Sequence, residues 1–179
     1  AFDLAKVAEL RLDHKKALAK YQEVTQLQAE NIEAWWEAAK IATLLGKNEQ
    51  ALRAWRGMQQ AAQNQQRPRE LAAALLGEAD SLLAKGDGNK ATDTYQQAHE
   101  AFKQIAKDDP NNTQWQRNLS VSYERLGDLY QAKGDTDAAL KAYQDDLAIS
   151  KTLAALDPNN VEWQTDIAAS NGKLMLFYK

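Results

Sequence analysis

Small and large apolar residues recur along the chain at helical spacing. In four places a small residue is followed four positions later by an aromatic one: Ala17 and Tyr21, Ala51 and Trp55, Ala91 and Tyr95, and Ala139 and Tyr143. Residues four apart lie on the same face of an α-helix. A turn sequence precedes each pair, such as KGD at residues 133–135. The pattern therefore predicts helices joined by short turns, in a unit that repeats along the chain.

A second signal supports the repeat. The motif D-P-N-N-x-x-W-Q occurs at residues 109–116 and again at 157–164, an offset of 48 residues. The four alanines are separated by 34, 40 and 48 residues, so the unit lengthens toward the C-terminus. A fixed layout at such periods is typical of helical-repeat arrays. We expect a single array over residues 1–179, with repeats at about 1–31, 32–71, 72–119 and 120–167 and a partial repeat at 168–179.

The last full copy resembles a known family. It carries Tyr123-x-x-Leu126-Gly127-x-x-Tyr130, then Ala139-x-x-x-Tyr143, then Asp157-Pro158. This order is similar to the tetratricopeptide repeat (TPR) pattern W-x₂-L-G-x₂-Y…A-x₃-F…P. The chain looks like a TPR protein of the bacterial type with extended repeats of 40–48 residues. The resemblance implies an all-α, right-handed α-solenoid of stacked antiparallel helix pairs, each with a helix A and a helix B.

Turn and cap residues predict the helix bounds at the C-terminal end. Helix A of the last full repeat should cover residues 113–132 and helix B residues 136–156. Gly134 accepts the left-handed conformation between them, and Pro158 blocks continuation of helix B. We expect a final helix at residues 161–179, which would be a helix A without its helix B. The chain would then be a fragment of a longer array.

Gly127 lies in the middle of the predicted helix A, although glycine costs about 1 kcal/mol of helix propensity there. We interpret Gly127 and Ala139 as small residues on facing sides of helices A and B, where they let the helices approach closely. At the N-terminus, the apolar positions of the first helix A are assigned to Phe2, Leu4, Ala5 and Ala8.

Composition excludes several classes of protein. Charged residues make up 26% of the chain, and the net charge of −3 lacks the basic excess of nucleic-acid binders. No apolar run approaches the length of about 20 residues that spans a bilayer. The absence of cysteine excludes disulfides, thiolate nucleophiles and cysteine zinc sites. The composition indicates a soluble protein and leaves the cytoplasm and the periplasm open.

The residues that carry chemistry show no catalytic pattern. His14 is expected in a turn, and His99 is interpreted as a surface or groove histidine, because Tyr95 and Lys103 occupy the positions where a second metal ligand would stand. The adjacent acids Asp145 and Asp146 raise the alternative of a cation or acid–base pair, which we rank far below a noncatalytic role. The sequence predicts no enzyme, no metal and no cofactor.

The five tryptophans receive different roles. Trp35 and Trp55 occupy large-residue positions of the repeat and should be core. Trp115 and Trp163 are equivalent across two copies and should anchor the start of helix A to the preceding helix B. Trp36 points about 100° away from Trp35 on the helix and should lean toward the groove. An accessible tryptophan there would be a binding hot spot.

The TPR resemblance implies a concave surface lined by helix A. In this sequence the lining residues would be Glu33, Trp36, Lys40 and Thr43, then Leu76, Asp80 and Leu83, and then Glu124, Asp128 and Gln131. Chaperone-binding TPRs clamp a C-terminal carboxylate with Lys and Asn, and the corresponding positions here do not hold that pair. The mixed apolar and acidic lining favours a peptide with apolar and basic side chains.

These observations predict a noncatalytic protein- or peptide-binding scaffold. One alternative is a structural spacer that self-associates through residues 161–179, because residues 173–178 (KLMLFY) are too apolar for a free surface. Another is the regulatory segment of a larger multidomain enzyme or signalling protein. Nucleic-acid binding is the least favoured, since the helix A positions lack rows of Arg and Lys.

Overall fold

The computed structural model describes residues 2–10 and 13–177, and over these residues the chain is α-helical without a strand. The helices are, in chain order, α1 (Phe2–Leu10), α2 (His14–Leu27), α3 (Ile32–Leu44), α4 (Asn48–Asn64), α5 (Pro68–Ala84), α6 (Gly88–Asp108), α7 (Thr113–Ala132), α8 (Thr136–Leu156) and α9 (Val161–Leu174), followed by a 3₁₀ turn at Met175–Phe177. The all-α prediction is confirmed.

Contacts divide the chain into two compact units, Ala1–Gln97 and Ala98–Lys179. In the first unit α1 packs on α2, α2 on α3, α3 on α4 and α4 on α5, and α3 also contacts α5. In the second unit α7 packs on α8, and α8 packs on α9. Neighbouring helices are joined by short connections, so each unit is built from antiparallel helix pairs. Helices α1, α3, α5, α7 and α9 are the A helices, and α2, α4, α6 and α8 are the B helices.

The predicted turn chemistry is present between α7 and α8. Gly134 has a φ of +78°, a conformation that glycine adopts without steric cost. The Asp135 side chain then accepts a hydrogen bond of 3.2 Å from the backbone N–H of Ala138 and caps α8. The observed bounds of α7 and α8 agree with the predicted ranges 113–132 and 136–156.

The helices α7 and α9 begin at Thr113 and Val161, as expected, and α5 begins at Pro68. These starts lie ahead of the expected repeat starts at 120, 168 and 72. Asn112 and Asn160 cap α7 and α9 with their side chains, and these caps decide where the helices start. The final helix was expected to continue to residue 179, but α9 ends at Leu174 and tightens into the 3₁₀ turn. Residues 178 and 179 lie outside the described residues.

The first helix follows its expected apolar pattern with one exception. Ala5 and Ala8 are buried, and Phe2 packs edge-on against Tyr21 with ring centroids 5.7 Å apart. Leu4 is 60% exposed, so its assignment to the core was wrong. Consecutive residues of a helix point about 100° apart, so Leu4 lies outside the buried face of α1 on which Ala5 lies.

Glycine does permit close helix packing, and the side chain nearest to it is an aromatic ring. A methyl group placed on Gly127 would lie 2.5 Å from Cε1 of Tyr143, so the tyrosine ring of α8 lies directly on the α7 backbone. Ala139 is fully buried one turn earlier in α8. A methyl group on Gly77 of α5 would similarly lie 2.6 Å from Cδ2 of Trp55. Both units therefore place a large ring against a glycine.

Candidate protein-binding surface

The first unit brings seven of the predicted groove residues onto two A helices that contact each other. We call this set the first A-helix face. Its members are Glu33, Trp36, Lys40 and Thr43 of α3 and Leu76, Asp80 and Leu83 of α5. Glu33, Lys40, Thr43 and Leu83 are exposed, and Trp36, Leu76 and Asp80 are half-buried.

Trp36 was expected to be an accessible hot-spot residue, but its side chain is half-buried. Its ring meets Trp55 edge-on, with centroids 5.4 Å apart and planes at 84°, and it packs against the core of the first unit. Lys40 Nζ lies 5.9 Å from the Trp36 ring centroid, within range of a weak cation–π contact. The Trp36 ring is therefore fixed in place and keeps part of its surface open. Trp55 itself is core, as predicted, whereas Trp35 is half-buried against Gly57.

The acids on α3 are already paired with lysines. Lys6 Nζ lies 2.8 Å from Glu33 Oε1, and Lys40 Nζ lies 2.8 Å from Glu37 Oε2. The hydrogen bond to Glu33 raises the pKa of Lys6. Exposed ion pairs of this kind contribute only about 0–1 kcal/mol. The charges on this face therefore alternate in sign, and each pair is weak enough to exchange for a partner's charge.

Two of the predicted groove acids have a structural role that the sequence analysis missed. Asp80 accepts a hydrogen bond from the hydroxyl of Tyr95. Asp128 accepts one of 2.6 Å from the hydroxyl of Tyr143, and Gln131 Oε1 accepts from the same hydroxyl at 3.0 Å. These contacts hold the B-helix tyrosines against the A helices.

The second unit carries the remaining predicted residues on α7, and we call Glu124, Asp128 and Gln131 the second A-helix face. Lys173 of α9 makes an ion pair with Asp128 and lies 5.8 Å from the Tyr143 ring centroid. Burial raises the pKa of the half-buried Glu124, and the nearby charges of Asp128 and Asp146 act in the same direction. This face is a network of internal contacts with Gln131 at its exposed end.

The tyrosine contacts did leave a signal in the sequence. Asp80 and Asp128 are 48 residues apart, and so are Tyr95 and Tyr143. A pair of polar partners that recurs together at the repeat offset indicates a contact inside the repeat. The pairing of Lys173 with Asp128 had no such signal, because it depends on how α9 packs beside α7.

The adjacent acids Asp145 and Asp146 have different partners, and Lys141 Nζ lies 3.0 Å from Asp145 Oδ2. Asp146 is 5% exposed, and its carboxylate accepts hydrogen bonds from Ser120 of α7 and from Ser170 of α9, the latter at 2.7 Å. Ser150 Oγ lies 3.1 Å from Ser120 Oγ. Burial raises the pKa of Asp146, and the serine hydroxyls oppose that effect in part. The four side chains form a buried polar cluster between α7, α8 and α9.

His99 is buried, so its interpretation as a surface or groove histidine was wrong. It is 7% exposed, its Nδ1 lies 2.9 Å from Ser122 Oγ, and its ring meets Tyr123 edge-on at 4.4 Å. Burial is the main cause that lowers the pKa of His99. Ser122 is 1% exposed and donates to the backbone oxygen of Leu119 at 2.6 Å. A serine closed off from solvent in this way cannot meet a substrate.

Two further properties concern only the described residues. They contain no group of three or more His, Cys, Asp or Glu side chains placed to hold a metal ion. Over residues 2–10 and 13–177, no helix combines the length and the apolar character needed to cross a membrane.

Solved structures with helical repeats share this architecture. MamA is 16% identical over 97% of this chain and 95% of its own, with a TM-score of 0.64. BtubC (BKLC) from P. vanneervenii is 18% identical over 96% of this chain and 72% of its own, with a TM-score of 0.70. A putative kinesin light chain from Podosopora anserina, with nearly identical TPR-like repeats, is 17% identical over 96% of this chain and 84% of its own, with a TM-score of 0.66.

No family model and no curated protein matches the sequence. The likeness to solved structures is therefore a likeness of fold. This chain has the all-α fold of TPR-like helical repeats.

Proposed function

We propose that this chain is a noncatalytic protein- or peptide-binding scaffold and that the first A-helix face receives the partner. The observation that carries the proposal is the accessible apolar surface of two adjoining A helices, formed by Trp36 of α3 and by Leu76 and Leu83 of α5. Leu83 is 47% exposed, and Trp36 is held by Trp55 in one orientation. A fixed aromatic ring loses little conformational entropy on binding, which favours its use as an anchor.

The chemistry of the face favours a peptide with both apolar and basic side chains. The apolar side chains would pack beside Trp36 and Leu83. A basic side chain would compete with Lys6 for Glu33, and it would lose little in doing so, because the carboxylate of Glu33 and the ammonium of Lys6 are 59% and 49% exposed. The second A-helix face offers less, since Asp128 is already occupied by Tyr143 and Lys173.

The test is an array of immobilised peptides that vary in apolar and basic content. Wild type is compared with Leu83→Asp, which places a charge on the face without opening the core. We expect wild type to bind a subset rich in apolar and basic residues and Leu83→Asp to bind that subset at least about tenfold more weakly, because a desolvated charge replaces an apolar contact.

Leu27→Asp is the matched control, because Leu27 is a 75% exposed leucine at the end of a B helix. It should bind as wild type does, and both variants should unfold at the wild-type temperature. Equal binding by wild type and Leu83→Asp would contradict the proposal, and so would equal loss in both variants.

A second candidate function is self-association through residues 161–179, with the chain acting as a structural spacer. Val161, Met175 and Leu176 are 78%, 71% and 52% exposed. Met175 is the counterpart of Gly127 at the 48-residue offset, and Gly127 is covered by the Tyr143 ring. The position that the Tyr143 ring covers on α7 is therefore taken, just beyond α9, by an exposed methionine.

Point variants test this candidate better than deletion, because deleting α9 would also remove Ser170 from the Asp146 cluster. If the candidate holds, light scattering should show an oligomer for wild type and a monomer for Met175→Ser combined with Leu176→Ser. Leu27→Ser serves as the control and should remain oligomeric. A monomeric wild type would remove the candidate.

A further inference from the structure

The first unit contains a cavity, and none of the residues that line it belongs to the first A-helix face. The cavity is open to solvent on one side, has a volume of about 330 Å³ and is lined by residues of three helices: Gln22, Thr25 and Gln26 of α2, Trp35 and Ala38 of α3, and Gln50, Arg53 and Ala54 of α4. This volume is at the lower end of the range of ligand sites, which is about 300–1,000 Å³. The cavity therefore has room for one or two amino-acid residues.

Arg53 is the one charged residue among those that line the cavity, and it is exposed. Among the side chains that the structure describes, none forms an ion pair or a hydrogen bond with its guanidinium. Arg53 lies in the field of Glu49, but the carboxylate of Glu49 is hydrogen-bonded by Lys85. A guanidinium without a partner, at the wall of a cavity, is suited to bind a carboxylate through two parallel hydrogen bonds.

The other polar groups around the cavity are partly satisfied by the protein. The Thr25 hydroxyl donates to the backbone oxygen of Gln22 at 2.9 Å, and the Trp35 indole N–H donates to the backbone oxygen of Ala29 at 2.7 Å. Gln22 Nε2 donates to Gln50 Oε1 at 3.2 Å, which fixes these two amides against each other. The Nε2 of Gln50 and the Oε1 of Gln22 then remain for a ligand.

Three of the residues that line the cavity are apolar. Ala38 and Ala54 are buried, and Trp35 contributes its ring beside them. A ligand that fits these surfaces has a carboxylate for Arg53, amide groups for the glutamines and an apolar stem for Trp35. An acidic residue within a peptide has all three. Phosphate fits less well, because a dianion would find a single cation and no apolar partner.

We propose that this cavity binds the carboxylate of a peptide, with Arg53 as the carboxylate ligand and the Gln22–Gln50 amide pair as the contact for the peptide backbone. The site is separate from the first A-helix face. A partner that has an acidic residue would engage it independently of the contacts proposed for Trp36 and Leu83.

The test is a titration followed by ¹⁵N NMR, in which the Arg53 side-chain N–H, the Trp35 indole N–H and the glutamine amides report directly. The probe is the acetylated and amidated tripeptide Gly-Glu-Gly, and the neutral isostere is the same tripeptide with Gln. We expect saturable shifts of these signals with the Glu peptide and at least about tenfold weaker binding of the Gln peptide, because charge-assisted hydrogen bonds are lost.

Two variants assign the effect. Arg53→Gln should lower the affinity for the Glu peptide by at least about tenfold, because it removes the single charge of the site. Its unfolding temperature should equal that of wild type, since Arg53 is exposed and has no ion pair. Lys151→Gln removes a positive charge from an exposed position of α8 and should leave the affinity unchanged.

Several results would overturn the proposal. These are no saturable shift with the Glu peptide, equal binding of the Gln peptide, or unchanged binding by Arg53→Gln. Equal or tighter binding of acetate or inorganic phosphate would overturn the assignment to a peptide, because the amides and the indole would then add nothing. Leu83→Asp should bind the Glu peptide as wild type does, so failure of this site and failure of the first A-helix face remain distinguishable.

Discussion

The two units bury ionisable acids in opposite ways. In the first unit Glu78 is 8% exposed, and its carboxylate accepts from Arg56 Nε at 2.7 Å and from Gln59 Nε2 at 2.5 Å. In the second unit Asp146 is equally buried, but serine hydroxyls are its hydrogen-bond donors, and no cation is among them. The charge of Glu78 is balanced by the Arg56 guanidinium, whereas the charge of Asp146 is stabilised only by the dipoles of the serine hydroxyl groups.

The two arrangements differ in how strictly they fix the positions of the helices around the buried acid. The Arg56 side chain is 57% exposed and can move with its partner, so the first unit tolerates small changes in helix spacing. Ser120 of α7 and Ser170 of α9 approach the two oxygens of the Asp146 carboxylate from two different helices. Neutral hydroxyls hold the carboxylate only at hydrogen-bond distance, so the second unit specifies the positions of three helices at once.

The largest effect is expected from filling the glycine contacts that both units share. Gly77→Ala and Gly127→Ala should each lower the free energy of unfolding by roughly 2 kcal/mol, because overpacking against Trp55 or Tyr143 outweighs the gain in helix propensity. Urea denaturation measures the loss, and hydrogen exchange locates it.

Gly172→Ala is the control for this pair, since Gly172 lies in α9 and an added methyl group would have no atom within 4 Å beyond its chain neighbours and the α9 backbone. It should raise the free energy of unfolding by about 0.5–1 kcal/mol through helix propensity alone. A stabilised Gly77→Ala or Gly127→Ala would show that the ring does not lie on the glycine.

The tyrosine–aspartate hydrogen bond should contribute a similar amount to the free energy of unfolding in both units. Tyr95→Phe and Tyr143→Phe should each cost about 1 kcal/mol, because each removes the hydrogen bond to a half-buried carboxylate, Asp80 or Asp128. Tyr143→Phe also removes the weaker contact to Gln131. Urea denaturation of the two variants tests this. A loss in one unit and none in the other would mean that the contact is not a shared element of the repeat.

Removing the buried charge should change the free energy of unfolding in opposite directions in the two units. Asp146→Asn keeps the size of the side chain and removes a desolvated charge, and a serine hydroxyl can turn its lone pair toward the new NH2 group. It should therefore raise the free energy of unfolding by about 0.5 kcal/mol. Glu78→Gln loses a charge-assisted contact to the solvent-exposed Arg56 and should lower it by about 0.5 kcal/mol.

Thermal and urea unfolding at neutral pH measure both changes. Effects of the same sign in Asp146→Asn and Glu78→Gln would contradict the contrast between the two units. Asp145→Asn, at the half-buried neighbouring position, is the control for loss of one acid on α8.

The smallest effect is expected in the pH dependence of the second unit. The pKa of Asp146 is raised above its ordinary value of 3.8, so the folded state binds more protons than the unfolded state between the two values. This contribution makes stability rise as pH falls through the raised pKa. The pKa of His99 is lowered below 6.5, and this contribution makes stability fall as pH falls through 6.5.

The two contributions have opposite signs, and we expect a shallow profile for wild type. The advantage of Asp146→Asn over wild type should be constant near neutral pH and should shrink as wild-type Asp146 becomes protonated. Urea denaturation at a series of pH values measures this difference. An advantage that grows on acidification would contradict the assignment.

Local sequence signals were sufficient for the helices at the C-terminal end of the chain. The bounds of α7 and α8 follow from Gly134, Asp135 and Pro158, because turn and cap chemistry acts within a few residues of the chain. The members of the first A-helix face come from the TPR resemblance, and their role as a binding surface stays a prediction. The partner's identity has no comparable local signal.

The burial of polar residues could not be predicted from local sequence signals. His99 and Asp146 have no feature in their own helices that distinguishes them from surface residues, and their partners Ser122, Ser120 and Ser170 are at least 23 residues away. A hydroxyl that satisfies a buried group becomes visible only when two helices are placed side by side. Burial of His99, expected on the surface or in the groove, is a case in point.

The sequence by itself determined the repeat, its turns and the small residues that admit large rings, because each of these depends on backbone preferences within one or two helices. The tertiary structure decided which rings meet the glycines, that Asp80 and Asp128 hold tyrosines, and that Arg53 stands without a partner beside a cavity. These properties depend on distances between helices, and such distances are set by the packing of all neighbouring side chains together.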